Sequence, residues 1–151
     1  MGSAIHAKSL KERNIEVGLM ISLEMLGYYS NKKGSQEYPI SILKIAYPNK
    51  GNFIAAIGKF GQGKLTRSFK KSFRKATNFP IEAMNAPALL TGIDFSDHRN
   101  YWAQGYPALM LTDTSFYRNK NYHQTSDTID TLNFEAMAKV LKGTEFSIRN
   151  F

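Results

Sequence analysis

The chain has 151 residues, 42% apolar and 21% charged, a composition that excludes disordered, collagen-like and low-complexity classes and suits one folded unit. It contains no cysteine, which excludes disulfide frameworks, thiolate metal sites and cysteine nucleophiles and leaves His, Asp and Glu as the metal donors. The net charge of +8 is concentrated, because residues 59–75 carry seven Lys/Arg and no acid, against 13 bases and 12 acids elsewhere. No run reaches the ~20 apolar residues of a membrane span, and the start MGSAIHAKSLKERN has no signal-peptide core; localisation is left unknown.

In chain order, Ser3 is placed to cap an opening helix with apolar positions Ile5, Ala7 and Leu10. The run VGLMISLEML, residues 17–26, is apolar on both alternating faces and predicts a central parallel strand covered by helices on both sides. GYYSNKKGSQEYP reads as a loop, and residues 40–48 show no decisive pattern. NFIAAIG, residues 52–58, predicts a second buried strand. The basic segment after it places Leu65, Phe69 and Phe73 at intervals of four, the stripe of a helix, and IEAM, residues 81–84, completes a parallel crossover. PALMLTD, residues 107–113, predicts a fourth strand, and NFEAMAKVLKG, residues 133–143, an amphipathic helix stopped by Gly143. This alternation predicts a three-layer α/β fold with a mostly parallel sheet flanked by helices, whose ligands gather outside the carboxyl ends of the strands.

Four places carry candidate chemistry. GKFGQGKLT, residues 58–66, sits where a phosphate-binding loop would, but Leu65 occupies the place of the required hydroxyl, so a Gly-rich turn is the simpler reading. Glu24, set between Leu23 and Met25 in a core strand, needs a partner, because burying an unpaired carboxylate costs several kcal/mol. That partner is a cation, solvent at the strand end, or a metal; the alternative is a role as general base. DFSDHRNYW, residues 94–102, packs Asp94, Ser96, Asp97 and His98 together, with helix capping by Ser96 or Asp97 as the plainer explanation. His123 lies in a long polar loop between Asp113 and Asp127, after a buried strand. Oxygen and nitrogen donors of this kind suit zinc or manganese.

The words ISLEMLGYYS, GIDFSDHRNYWAQGYPALMLTDTSFYRN and NYHQTSDTIDTLNFEAMAKV closely resemble the C-terminal half of the co-catalytic di-zinc exopeptidases, the family of bacterial leucyl-type aminopeptidases to which glutaminyl cyclases are also similar. By that resemblance residues 1–151 are the C-terminal portion of one catalytic domain, incomplete as a three-layer fold. Glu24 stands where the family places an acidic ligand of one zinc, usually aspartate, and His123 matches the histidine ligand of the other. Ser96, Asp97 and His98 match the segment lining the substrate side, and Asp127 with Thr128 matches the motif shaping the histidine loop. The family's H-x-D segment, bridging aspartate and adjacent glutamate pair, which supplies the general base, have no counterpart here, and Met1-Gly2-Ser3-Ala4 resembles the point just after that pair. The resemblance implies two zinc ions in the complete site and weak binding here, since catalytic zinc takes about three protein ligands. It implies metal-assisted hydrolysis of peptides with a free amino terminus by the complete enzyme, an inactive chain alone, and pairing with the missing half or self-association.

A reading of another class takes the helix over residues 59–75 as a nucleic-acid or acidic-partner binding module; no base-reading motif accompanies it. Salt titration separates the two. Tight binding of a duplex oligonucleotide at low salt with a steep salt slope supports the module; zinc uptake that disappears in His123→Ala, with no such slope, is the outcome expected here.

Overall fold

The computed structural model of the chain describes residues 2–87, 90 and 92–151. Among them, α1 (Gly2–Glu12), β1 (Met20–Glu24), α2 (Leu43–Ala46), β2 (Ile54–Lys59), α3 (Gly63–Ala76), β3 (Ile81–Ala86), α4 (His98–Ala103), β4 (Ala108–Thr112) and α5 (Phe134–Arg149) follow in order. The four strands form one sheet in the order β1-β4-β2-β3. β1 runs parallel to β4, β2 runs parallel to β3 through the α3 crossover, and β2 meets β4 antiparallel. The sheet is therefore mixed, with two of its three pairings parallel as the alternating pattern predicts.

The strand pleat sorts side chains into two cores. Ile54 and Ala56 of β2 join Leu109 and Leu111 of β4 beneath Phe69 and Phe73 of α3 and Val140 of α5. On the opposite face Ala55, Ile57, Ala108 and Met110 pack with Ala7 of α1 and Tyr101 and Trp102 of α4. These are the three layers. Phe69 and Phe73 are fully buried, each contributing about 1.5–3 kcal/mol, and this burial selects the orientation of α3. Lys70 at the edge of that buried stripe pairs with Glu82 at 2.6 Å, while Lys64, Arg67, Lys71, Arg74 and Lys75 point to solvent. No helix among the described residues is long and apolar enough to cross a membrane.

Several local expectations change. Of residues 17–26, Met20–Glu24 form the strand, β1, which lies at an edge and not at the centre: among the described residues it pairs with β4 alone, and Leu23 stays half exposed. Ser3 lies inside α1 and does not cap it; its hydroxyl donates to Asp97 at 2.5 Å and ties α1 to the start of α4. Met1 lies outside the described residues. The stretch 40–48 contains the single-turn α2. The last helix, capped by the Asn133 side chain on the Ala136 N–H, does not stop at Gly143 but runs through it to Arg149. A Cβ at residue 143 would lie 2.5 Å from the Phe73 ring, so this glycine serves the close approach of α3 to α5 rather than a helix end.

Gly143→Ala should therefore destabilise the fold by about 1–3 kcal/mol, the cost of overpacking, although alanine is the better helix former. The shift in urea midpoint checks this; an unchanged or raised midpoint would show that the two helices separate without penalty.

Candidate functional site

A cavity of about 410 Å³ opens at the carboxyl ends of β1 and β4. Ala55, Ile57 and Met110 floor it, and Tyr38, Tyr47, Phe53, Phe95, Phe116 and Tyr117 supply aromatic walls. Its rim comes from three connections: the one after β1, which brings Gln36, Glu37 and Tyr38; Gly92–Phe95 ahead of α4; and the one after β4, which brings Thr114 to Asp127. Burial pushes the Tyr38 hydroxyl up to about 12, so it stays protonated at neutral pH.

Two buried charges hold these connections. Asp113, the residue after β4, accepts the N–H groups of Gly27 (3.2 Å), Tyr28 (2.8 Å) and Ser115 (2.9 Å), while its own N–H donates to the Met25 carbonyl at 2.7 Å. Burial, only partly offset by these donors and by Arg118, raises its carboxyl from 3.8 to about 6. Arg118 donates to the Gln36 side-chain oxygen from Nε (2.9 Å) and Nη2 (2.8 Å), and from Nη1 to the carbonyls of Phe53 (2.9 Å) and Tyr28 (3.2 Å). Its guanidinium lies over the Phe53 ring at 4.8 Å, and desolvation lowers its pKa to about 10. It passes across Gly51, where a Cβ would come within 2.6 Å of it. The backbone around the cavity is held in uncommon states: of the five non-glycine residues with positive φ among the described residues, Met25, Thr114, Ser115 and His123 line the cavity, and only Asn14 lies elsewhere.

The sequence-predicted residues divide. Glu24 and His123, 99 positions apart in the chain, line the same cavity. Glu24 sits at the end of β1, where its Oε1 accepts the Ser96 hydroxyl at 2.6 Å, and Ser96 also bonds Ser22. His123 is exposed at φ 58°, stacked on Tyr122 with ring centres 3.9 Å apart. Asp127 also lines the cavity, and its Oδ1 accepts from Asn119 at 3.1 Å, a bond that closes the histidine loop on itself.

Ser96 thus braces Glu24 from behind, and neither it nor Asp97 supplies a side-chain cap to α4. Asp97 faces Ser3 of α1, away from the cavity. His98 is wholly buried, bonded through Nε2 to the Ile93 carbonyl at 2.7 Å and packed edge-on against Trp102; burial holds its imidazole below the usual pKa. The expected substrate-facing positions of Asp97 and His98 are taken instead by Gly92, Ile93 and Phe95. Sequence reading missed Arg118, Gln36 and Tyr38; an arginine five residues beyond an aspartate that ends an apolar strand was the one available signal.

Four carboxylates, Glu24, Glu37, Glu82 and Asp127, line the cavity in a chain of net charge +8. Glu82 is paired with Lys70 and Glu37 with Lys120, each at 2.6 Å, while Glu24 and Asp127 have no ion pair with Lys or Arg among the described residues. Residues 1–144 match the family model described as Peptidase family M28. The chain belongs to peptidase family M28. It is 47% identical over 143 residues to the uncharacterized protein YfbL of Escherichia coli (strain K12), a match covering 95% of this chain and 43% of that protein. Among solved structures it is similar to the LapA aminopeptidase of Legionella pneumophila (22% identity, TM-score 0.66, 99% of this chain and 35% of that one). It is also similar to BSAP, a zinc aminopeptidase from Bacillus subtilis (16% identity, TM-score 0.65, 99% and 32%). At these identities the two structures establish the α/β fold, and the chain spans between about a third and two fifths of the length of the proteins it matches.

Glu24 and His123 offer the hard oxygen and the imidazole nitrogen that zinc accepts. In number they fall short: among the described residues no three His, Asp or Glu side chains stand together as one metal site, whereas catalytic zinc takes about three protein ligands. The residues present in this M28 chain do not by themselves make a zinc site.

Because the Asp113 carboxyl is protonated more readily folded than unfolded, the folded chain holds extra proton between pH 3.8 and about 6. Its contribution to stability therefore falls as pH rises through that window. Asp113→Asn should flatten that slope in urea midpoints and, by removing one acceptor oxygen, cost about 1–3 kcal/mol near neutrality. A slope identical in wild type and variant would assign the pH dependence to other groups.

Proposed function

We propose that residues 1–151 build the substrate wall and part of the metal site of a zinc-dependent M28 aminopeptidase. The observation that carries this reading is that Glu24, Asp127 and His123 line one cavity in a basic protein, with neither carboxylate held in an ion pair with Lys or Arg among the described residues. Such a cavity attracts cations, and a peptide's protonated amino terminus is one. The aliphatic floor of Ala55, Ile57 and Met110 and the aromatic wall that includes Phe53 suit the side chain of the first residue of that peptide, giving up water for apolar contact. Glu24 and His123 are the residues assigned to metal, one to each ion, with the other ligands and the general base supplied from outside residues 1–151.

The chain's own residues act on position and charge. Ser96 fixes the Glu24 carboxylate through a donated hydrogen bond, and Arg118, through Gln36 and Phe53, sets the wall against which a substrate side chain rests. Since no group here is placed as a general base, the 151-residue chain is proposed to be inactive alone.

Tag-free protein supplied with zinc and an aminoacyl chromogenic substrate is expected to show no turnover above buffer; steady hydrolysis that copurifies with the chain would overturn the proposed incompleteness. In equilibrium dialysis the chain should take up zinc weakly, with loss in His123→Ala and in Glu24→Ala. Uptake unchanged in both variants would remove these two residues from the metal role.

A further inference from the structure

The positive charge of α3 has no part in the cavity. The helix reads GKLTRSFKKSFRKA and contains no acidic residue. Thr66, Phe69 and Phe73 are its buried residues, and Lys64, Arg67, Lys71, Arg74 and Lys75 are all exposed. At 3.6 residues per turn these five cations fall within about 100° of arc, on the side opposite the buried one, and their Cα positions extend roughly 16 Å along the axis. None of the five has an ion pair among the described residues; the one cation of α3 that does, Lys70, stands off this ridge and meets Glu82. Five like charges on one ridge repel one another, and an anionic surface laid against them relieves that repulsion.

An apolar group stands at one end of the ridge. Phe60, in the turn between β2 and α3, is 75% exposed, and the turn is made by Gly61 at φ 90°. The Phe60 N–H donates to the Ala86 carbonyl at 3.1 Å, so the chain is still paired with β3 at that point and the pleat fixes which way the ring projects. Ile54 and Ala56 of β2 pack under α3 and α5, whereas Ala55 and Ile57 pack on the opposite face; Phe60, an even number of residues beyond Ala56, falls on the α3 face. The cavity is elsewhere. Ala55, Ile57 and Met110, on the face away from α3, form its floor. Because β2 runs antiparallel to β4, the Phe60 turn also lies at the end of the sheet opposite the carboxyl end of β4, where the cavity opens.

We infer that the outer ridge of α3, with Phe60 at its end, is a docking surface for an anionic lipid bilayer. Lys64, Arg67, Lys71, Arg74 and Lys75 meet the phosphate-bearing headgroups, and the Phe60 ring enters the boundary between headgroups and acyl chains. Cations alone would suit any polyanion; the exposed phenylalanine decides for a bilayer, because the interface gives an apolar ring beside basic residues somewhere to be buried. Docked in this way, the protein turns its cavity away from the membrane and leaves it open to a dissolved substrate. The inference goes beyond the proposed function and uses no residue of the cavity.

The test is sedimentation of the 151-residue chain with phosphatidylcholine vesicles, with and without about 30 mol% phosphatidylglycerol, an anionic content at which each cation near the surface strengthens binding roughly fivefold. Binding is expected with the anionic vesicles alone and is expected to weaken steeply as salt is added. Lys71→Glu with Arg74→Glu should weaken it at least tenfold, and Phe60→Ser roughly tenfold. Lys32→Glu with Lys33→Glu makes the same change in net charge on the connection after β1 and should leave it unchanged, with circular dichroism confirming that every variant folds. Labelling with an amine-reactive ester should show Lys64, Lys71 and Lys75 protected by the vesicles and Lys32 and Lys33 not. Equal binding to neutral and anionic vesicles, or equal loss in the two charge-reversal variants, overturns the docking surface. Vesicle binding that keeps its strength in Phe60→Ser overturns the burial of that ring. Tighter binding to a duplex or single-stranded oligonucleotide than to the vesicles, lost with Lys71→Glu and Arg74→Glu, overturns the bilayer in favour of nucleic acid.

Discussion

The arrangement of the cavity depends on the burial of one guanidinium. Arg118 reaches from the connection after β4 to the backbone on either side of the long connection after β1, and to the Gln36 side chain in its middle. Removing an arginine from water is costly unless its donors are satisfied; here Nε, Nη1 and Nη2 all find oxygens, and an aromatic ring takes the guanidinium face. Satisfying those donors requires both connections to adopt one relative placement, and that placement makes the cavity wall. Asp113 does the same from the acidic side by gathering backbone N–H groups from the exit of β1. A segment with little regular structure is thereby made definite through polar bonds rather than through a large apolar core.

The electrostatics divide by region. Solvent-facing cations on α3 account for most of the excess positive charge, while Glu24 and Asp127 line the cavity with no ion pair to Lys or Arg among the described residues. That placement makes the potential at the carboxyl ends of the strands more negative than the net charge suggests. Net charge by itself points toward polyanions, and only the placement of the charges turns the argument around at the cavity. The same distribution explains why Glu24 can persist at the end of an apolar strand: it faces an open cavity and is held by a neutral hydroxyl.

The parts of this fold that were legible in the sequence are those governed by local pattern. β2, α3 and β3 follow from an apolar run, a four-residue stripe and a second apolar run, and Glu24 and His123, both singled out in the sequence, line one cavity. What was not legible depends on distant neighbours. The composition of β1 is that of an interior strand, and nothing within residues 17–26 reveals that, among the described residues, no strand lies on its other side. Gly143 looks like a helix stop until Phe73 is seen against it. Asp97 and His98 look like site residues, but Ser3 and Trp102, each distant or hidden in the pattern, draw them elsewhere. Family motifs mark residues that matter together without saying which of them face the ligand.

The four left-handed residues bordering the cavity bear on how such a wall evolves. Non-glycine side chains in that region cost about 1–2 kcal/mol each relative to the right-handed one, and glycine would relieve the conflict at every one of them. Selection for resistance to heat alone would favour that relief, at the expense of aim, because glycine at the histidine's position would also delete the imidazole and elsewhere would let the connections wander. Thermal robustness and accuracy of the wall thus place opposite demands on the same four positions.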